Sequence, residues 1–168
     1  DVPITVNYVP HYVIHFDANG GTGEMKDIEV AEGRSFTLPD NIFTKSDYDF
    51  NTWNTEVDGK GTSYANGGQI PGHNDKEVVT LYAQWLGQEH TVTFNPNGGT
   101  VSPTSKKIRT GEKYGDLPVP KKANSGFNGW SCEGFTISAD DTLSCYDSVA
   151  DWTDNAYTII YDSNGGRF

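Results

Sequence analysis

Apolar and polar residues alternate over Val13-Ile14-His15-Phe16 and again over Thr91-Val92-Thr93-Phe94. That two-residue period belongs to a strand with one buried and one solvated face. Each run leads into Asn-Gly-Gly, at Asn19-Gly20-Gly21 and at Asn97-Gly98-Gly99. Asparagine and glycine accept the positive φ angles of a tight hairpin turn, so a strand, a turn and a returning strand are predicted as the first element. The return is read in Met25 to Gly33, where Ile28 and Val30 alternate with charged residues, and in Lys106 to Glu112. Leu38-Pro39 then stops the sheet, because proline lacks the amide donor of a central ladder. Asp40 to Ser46 is predicted as one short helical turn capped by Asp40. Phe50 and Trp53 stand three apart, which one face of a regular strand does not give, so a bulge or turn is expected between them. Val78 to Trp85 is the most hydrophobic stretch of this half and is expected to lie centrally in its sheet.

The same pattern occurs more than once. VIHFDANGGT (13–22) recurs as TVTFNPNGGT (91–100) and again as TIIYDSNGG (158–166), with Phe16, Phe94 and Tyr161 in the same place. Further landmarks follow in order: Gly33 and Gly111, Leu38-Pro39 and Leu117-Pro118, then Phe50-x-x-Trp53 and Phe127-x-x-Trp130. Trp85 and Trp152 close the two copies, each nine residues before the next copy's aromatic. Four segments are therefore expected: residues 1–10, a tail strand of an upstream unit or a linker; 11–86, a first repeat; 87–153, a second, shortened repeat; and 154–168, the first hairpin strand of a third unit. The start at Asp1, with no basic and apolar leader, reads as a piece of something longer.

Composition supports strands. Val, Ile and Thr total 38 residues against 14 for Leu, Met and Ala, and Gly plus Pro reach 27, which favours strands joined by tight turns. Aliphatic side chains are scarce, but 8 Phe, 9 Tyr and 4 Trp supply large buried areas. The formal net charge of −11 argues against nucleic acid as a partner, because phosphate binding needs a basic face. No apolar run is long enough to insert in a membrane as a helix.

The combination F-x-x-NGG, Leu-Pro, Tyr48-x-Phe50-x-x-Trp53-Asn54-Thr55, Asp58-Gly59-x-Gly61-Thr62-x-Tyr64 and Thr80-Leu81-Tyr82-Ala83-Gln84-Trp85 resembles the Listeria-Bacteroides repeat, or internalin B-repeat, of bacterial surface proteins. The resemblance covers nearly all of residues 12–85. The second copy, 91–152, follows it as far as Trp130; Trp130 to Trp152 is then 22 residues where Trp53 to Trp85 is 32. Asp47 and Thr52 stand where the family has glycine. The resemblance implies a mainly β, α+β unit with small β-grasp-like mixed sheets and little helix, in two tandem repeats. It also implies an extracellular place on the bacterial cell surface or cell wall, and roles in adhesion, spacing or protein contact. It offers no catalytic residues to carry over.

Candidate chemistry is sparse. Asp17-x-Asn19 opens like a calcium loop, but its sixth position is Thr22 and its twelfth Ile28, so the turn reading is preferred. His11, His15, His73 and His90 show no metal-ligand spacing, and Asp140-Asp141 has no accompanying base or nucleophile. No catalytic residue, metal ligand or cofactor is assigned. Cys132 closes the predicted third strand of the second copy and Cys145 precedes its last strand, so a disulfide is expected there, against two buried thiols; it would imply an oxidising compartment. Phe16, Phe50, Trp53, Trp85, Phe94, Phe127, Trp130 and Trp152 recur at landmarks and are expected in the cores. Tyr48, Tyr64, Tyr114 and Tyr146 remain candidates for surface contact. The expected function is a non-enzymatic repeat module, adhesive or a stiff spacer, with a host or neighbouring-cell protein or glycan as partner. The alternatives are a specific glycan- or host-protein-binding domain, and a filament subunit in which orphan terminal strands drive head-to-tail self-association.

Overall fold

The computed structural model describes residues 7–157 and residue 159. The chain divides into two compact units between Gln88 and Glu89. All regular structure among the described residues is strand.

In the first unit, β1 (His11–Asp17) pairs antiparallel with β2 (Ile28–Ala31) on one side. On its other side it pairs parallel with the last strand, β7 (Val78–Gly87), from Val13↔Val78 to Asp17↔Tyr82. β4 (Tyr48–Asn54) lies antiparallel on the far side of β7, and β5 (Ser63–Tyr64) completes the order β2-β1-β7-β4-β5. A two-stranded ribbon of β3 (Phe36–Thr37) and β6 (Gln69–Ile70) stands apart from this sheet. The apolar run of β7 is central because both of its edges are occupied. The second unit repeats the plan: β8 (Glu89–Asn95), β9 (Ser105–Arg109), β10 (Ser125–Cys132), β11 (Phe135–Ile137) and β12 (Asp147–Asp154) form the sheet β11-β10-β12-β8-β9. Here too the first strand, β8, runs parallel to the last, β12, with Thr93↔Asp147, Phe94↔Ser148 and Asn95↔Val149 in register.

The expected irregularity between Phe50 and Trp53 is a bulge. The register of β4 on β7 shifts between Phe50 and Thr52, and that of β10 on β12 shifts between Phe127 and Gly129. One extra residue per copy, Asn51 or Asn128, turns both aromatics of the Phe-x-x-Trp spacing toward one core. Trp53 and Trp130 are the largest fully buried side chains. Asp47 keeps a left-handed backbone at φ 61°, which Asp tolerates better than most residues.

Four expectations are corrected. The α+β reading fails because the described residues contain no helix. Asp40 to Ser46 is not helical: Asn41 folds its side chain onto Phe43, with Phe43 N–H donating to Asn41 Oδ1 at 3.0 Å, and Thr44 bridges to Thr22. Side-chain to backbone bonds of this kind compete with helix. The Asn-Gly-Gly turn is tight but does not itself join the hairpin, since the return starts only at Ile28. Between turn and return, Thr22 is drawn across to Thr44, its amide donating to Thr44 O at 2.7 Å. Finally, Tyr114 is not a surface residue but is fully buried. Of the expected terminal strands, residues 1–6, Thr158 and residues 160–168 lie outside the described residues, and Asn7 to Pro10 belongs to no strand.

Candidate functional site

What recurs in both units is a corner that ties the end of the first strand to the last strand. Ala18-Asn19-Gly20-Gly21 makes a turn with Asn19 at φ 47° and Gly20 at φ 80°, closed by Gly21 N–H donating to Ala18 O at 2.9 Å. Positive φ at both central positions defines a type I′ turn, which explains Asn followed by Gly. The Asn19 backbone N–H donates to Asp17 Oδ1 at 2.7 Å, so Asp17 is already engaged. Asn19 Nδ2 donates to Ala83 O of β7 at 2.9 Å and to Val57 O at 3.1 Å. The Trp85 indole N–H donates back to Ala18 O at 2.9 Å. Gly21 must lack a side chain, because a Cβ there would lie 2.6 Å from Trp85 Cζ2 and 2.9 Å from Thr44 O.

The second unit builds the same corner from the same residues. Asn97, at φ 45°, donates from Nδ2 to Ala150 O at 3.2 Å, and the Trp152 indole N–H donates to Pro96 O at 3.0 Å. A Cβ on Gly99 would lie 2.5 Å from Lys121 O. The sequence pointed to the turns and to the tryptophans separately. It did not show that each Trp locks the Asn-Gly-Gly turn that begins 67 or 56 residues earlier.

Behind each corner lies a chain of rings. Phe16 and Phe50 pack on Trp53 and Phe50 in turn meets Trp85, with centroids 5.1 Å apart for Phe16–Trp53, 4.9 Å for Phe50–Trp53 and 5.9 Å for Phe50–Trp85. Phe94, Phe127, Trp130 and Trp152 repeat the arrangement at 5.1, 5.6 and 5.7 Å. Phe16, Trp53, Phe94 and Trp130 are buried; Phe50, Trp85, Phe127 and Trp152 are half-buried and pack against them. One difference separates the copies. The Trp130 indole N–H donates to Pro118 O at 2.8 Å, whereas the buried Trp53 N–H has no hydrogen-bond partner among the described residues.

The opposite end of β1 is fastened as well. Asp75, just ahead of β7, accepts from the Tyr8 hydroxyl at 2.5 Å and from the His11 backbone N–H at 3.0 Å. The Tyr8 hydrogen bond holds the Asp75 carboxyl below its ordinary range and raises the Tyr8 phenol. His73 Nδ1 sits 2.8 Å from Glu77 Oε1, and that contact depresses the Glu77 carboxyl. Lys76 N–H donates to His11 O, and Val13 N–H to Glu77 O.

Cys132 and Cys145 form a disulfide, 13 residues apart in sequence with Cα atoms 6.5 Å apart. Tyr114 stands beside it. Its hydroxyl accepts the amides of Ser144 and Cys145 at 3.2 and 3.0 Å and donates to Cys145 O at 3.0 Å. Phe36 holds the corresponding place in the first unit, so the added hydroxyl grips the shortened segment. Of the other candidate tyrosines, Tyr146 is exposed and stacks on His90 at 4.7 Å, while Tyr48 and Tyr64 are half-buried. His15 Nδ1 lies 2.7 Å from Asp27 Oδ1, beside an open groove of about 620 Å³ floored by Phe16 and Phe43. Among the described residues, no three His, Cys, Asp or Glu side chains converge as a metal site. No helix there is long and apolar enough to cross a membrane.

Among known proteins, the Listeria-Bacteroides repeat domain matches this chain twice, over residues 12–84 and 90–148. Two proteins of Evansella cellulosilytica are similar to it. One, provisionally named a Gly-rich membrane protein, is 31% identical over 163 residues; the other, provisionally named a membrane protein, is 27% identical over 179. Each alignment covers 92% of this chain but 18% and 23% of those proteins, so the chain spans less than a quarter of either relative. No solved structure matches it at a significant level.

Proposed function

This chain belongs to the Listeria-Bacteroides repeat domain family, and from that premise we propose that it is a non-catalytic tandem-repeat module of a bacterial cell-surface or secreted protein, acting in adhesion or as a stiff spacer. One observation carries the reading: the polar atoms of the recurring corner residues are used up in bonds from side chain to backbone within their own unit. Asn19, Asn97, Trp85 and Trp152 direct their polar atoms at main-chain carbonyls of their own unit. A catalytic repeat would instead converge polar groups on an open site. A disulfide fits an oxidising, extracytoplasmic setting. For the fold, the proposal is a β-grasp-like sheet without its helix, supported by the insertion of the last strand beside the first.

Antibodies raised against the chain test the placement. Labelling of intact source cells, removed by protease shaving, is the expected result; label seen only after lysis overturns the surface assignment. Presenting the purified chain to glycan and host-matrix arrays separates spacer from adhesin. Saturable binding lost on Tyr146→Ala would favour adhesion, and no binding on any array would favour the spacer.

A further inference from the structure

We propose that each unit is a shear clamp, built to keep its fold when the chain is pulled by its ends. The inference rests on the surface-module reading only for its biological use; the mechanics follow from topology. A unit's chain enters at β1 and leaves at the end of β7, and these strands are neighbours and parallel. Parallel neighbours put the entry of one and the exit of the other at opposite ends of the same ladder. Tension along the chain therefore slides β1 past β7 and loads the ladder hydrogen bonds together. An antiparallel pair of terminal strands would have both loaded ends on one side and would open one bond at a time. β8 and β12 have the same parallel relation.

The side-chain fasteners lengthen the clamp at both ends. Beyond the ladder of Val13↔Val78 to Asp17↔Tyr82, the Asn19 amide and the Trp85 indole bond across to and from the last strand. At the entry, Tyr8 and His11 are held by Asp75, and His11 O by the Lys76 amide. In the second unit Asn97 and Trp152 serve the corner, and Thr93 is held on both sides of the ladder. Its hydroxyl donates to Asp147 at 2.7 Å and its carbonyl accepts from the Ser148 hydroxyl at 2.7 Å. The repeated Asn-Gly-Gly and Trp motifs thus mark the load path. The disulfide lies off it, in the β10–β11 hairpin region, and acts to keep 13 residues from extending.

Single-molecule force spectroscopy on the full chain, with handles at its two ends, tests this. Two unfolding steps are expected. Reductant should lengthen one of them by about 40 Å, from the 13 residues released at roughly 3.5 Å each less the 6.5 Å already spanned. For the first unit, moving one handle from the C-terminus to Asn74→Cys places both attachments at the same end of the β1–β7 pair and peels it. The rupture force should fall well below the end-to-end value. Asn19→Gly keeps the positive φ without strain while deleting the amide bonds. At constant end-to-end force it should shorten the folded lifetime of the first unit about tenfold, as expected for one to two hydrogen bonds lost from the load path. The step that reductant lengthens is that of the second unit; equal rupture forces in the two geometries, or an unchanged lifetime for Asn19→Gly, would overturn the clamp. None of these outcomes bears on cell-surface labelling, so the two readings fail separately.

Discussion

Opening the disulfide should destabilise one unit and spare its neighbour. The bridge closes a loop of 13 residues between Cys132 and Cys145. In the chain-entropy treatment, releasing a loop of that size gives the unfolded chain back about 3 kcal/mol of conformational freedom. For a domain of this length each kcal/mol moves the melting midpoint by roughly 4–8 °C, so reduction should lower the midpoint of the second unit by about 12–24 °C. Residues 11–87 contain no cysteine, so the first unit is an internal control in the same tube. Calorimetry with and without reductant should show one transition moving and one fixed. The double variant Cys132→Ala, Cys145→Ala should reproduce the shift, with a further cost from lost packing because Cys132 is buried. Because the Tyr114 hydroxyl holds the Cys145 backbone independently of sulfur, the reduced unit should still fold in the cold. Two transitions moving together, or a second-unit midpoint unchanged by reduction, would refute the reasoning.

Other consequences can be measured by denaturant titration. Gly21→Ala and Gly99→Ala should each cost about 1–3 kcal/mol, since the new methyl meets Thr44 O or Lys121 O and the Trp ring; Gly33→Ala, with nothing within 4 Å of its Cβ, should cost only the backbone term of about 1 kcal/mol. Trp130→Phe should cost about 1–3 kcal/mol more than Trp53→Phe, because only the former abandons a carbonyl; equal costs would mean that the Trp53 N–H is satisfied in solution. Acidification should weaken the first unit. Asp75 and Glu77 are depressed in the fold, so the stability they lend is complete above the ordinary carboxylate values of 3.8 and 4.5 and is lost as pH falls through their lower folded values. Tyr8→Phe should reduce the Asp75 part of that acid sensitivity, as read from unfolding midpoints across pH.

Much of the architecture was legible because the repeat aligned independent signals. Alternation around Phe16 and Phe94 located the first strands. The Phe50-x-x-Trp53 spacing announced a bulge or a turn, and the apolar run after Val78 announced a central strand. Legibility failed where a residue's partner lies far along the chain. Asp40 to Ser46 offered a plausible helix cap locally, yet its backbone is recruited by Thr22 and Asn66. Tyr114 looked like any other tyrosine, and only the shortened loop gives its hydroxyl a buried task. The fastening role of Trp85 depends on a carbonyl at Ala18, and no local pattern encodes a pairing over that separation.

The parallel alliance of first and last strands also dictates when a unit can finish folding. β1 finds its central neighbour only in residues made some sixty-five positions later, Val13 against Val78, and such distant closure is slow. While a unit is being synthesised or exported, its leading hairpin has no partner on its inner edge, so the sheet cannot close until the whole unit has emerged. The copies then mature in order, each after the last of its own residues is released. A chain ending at Glu77 should accordingly remain as protease-sensitive as an unfolded peptide, while one ending at Gln88 should resist; resistance at Glu77 would show that the hairpin matures alone.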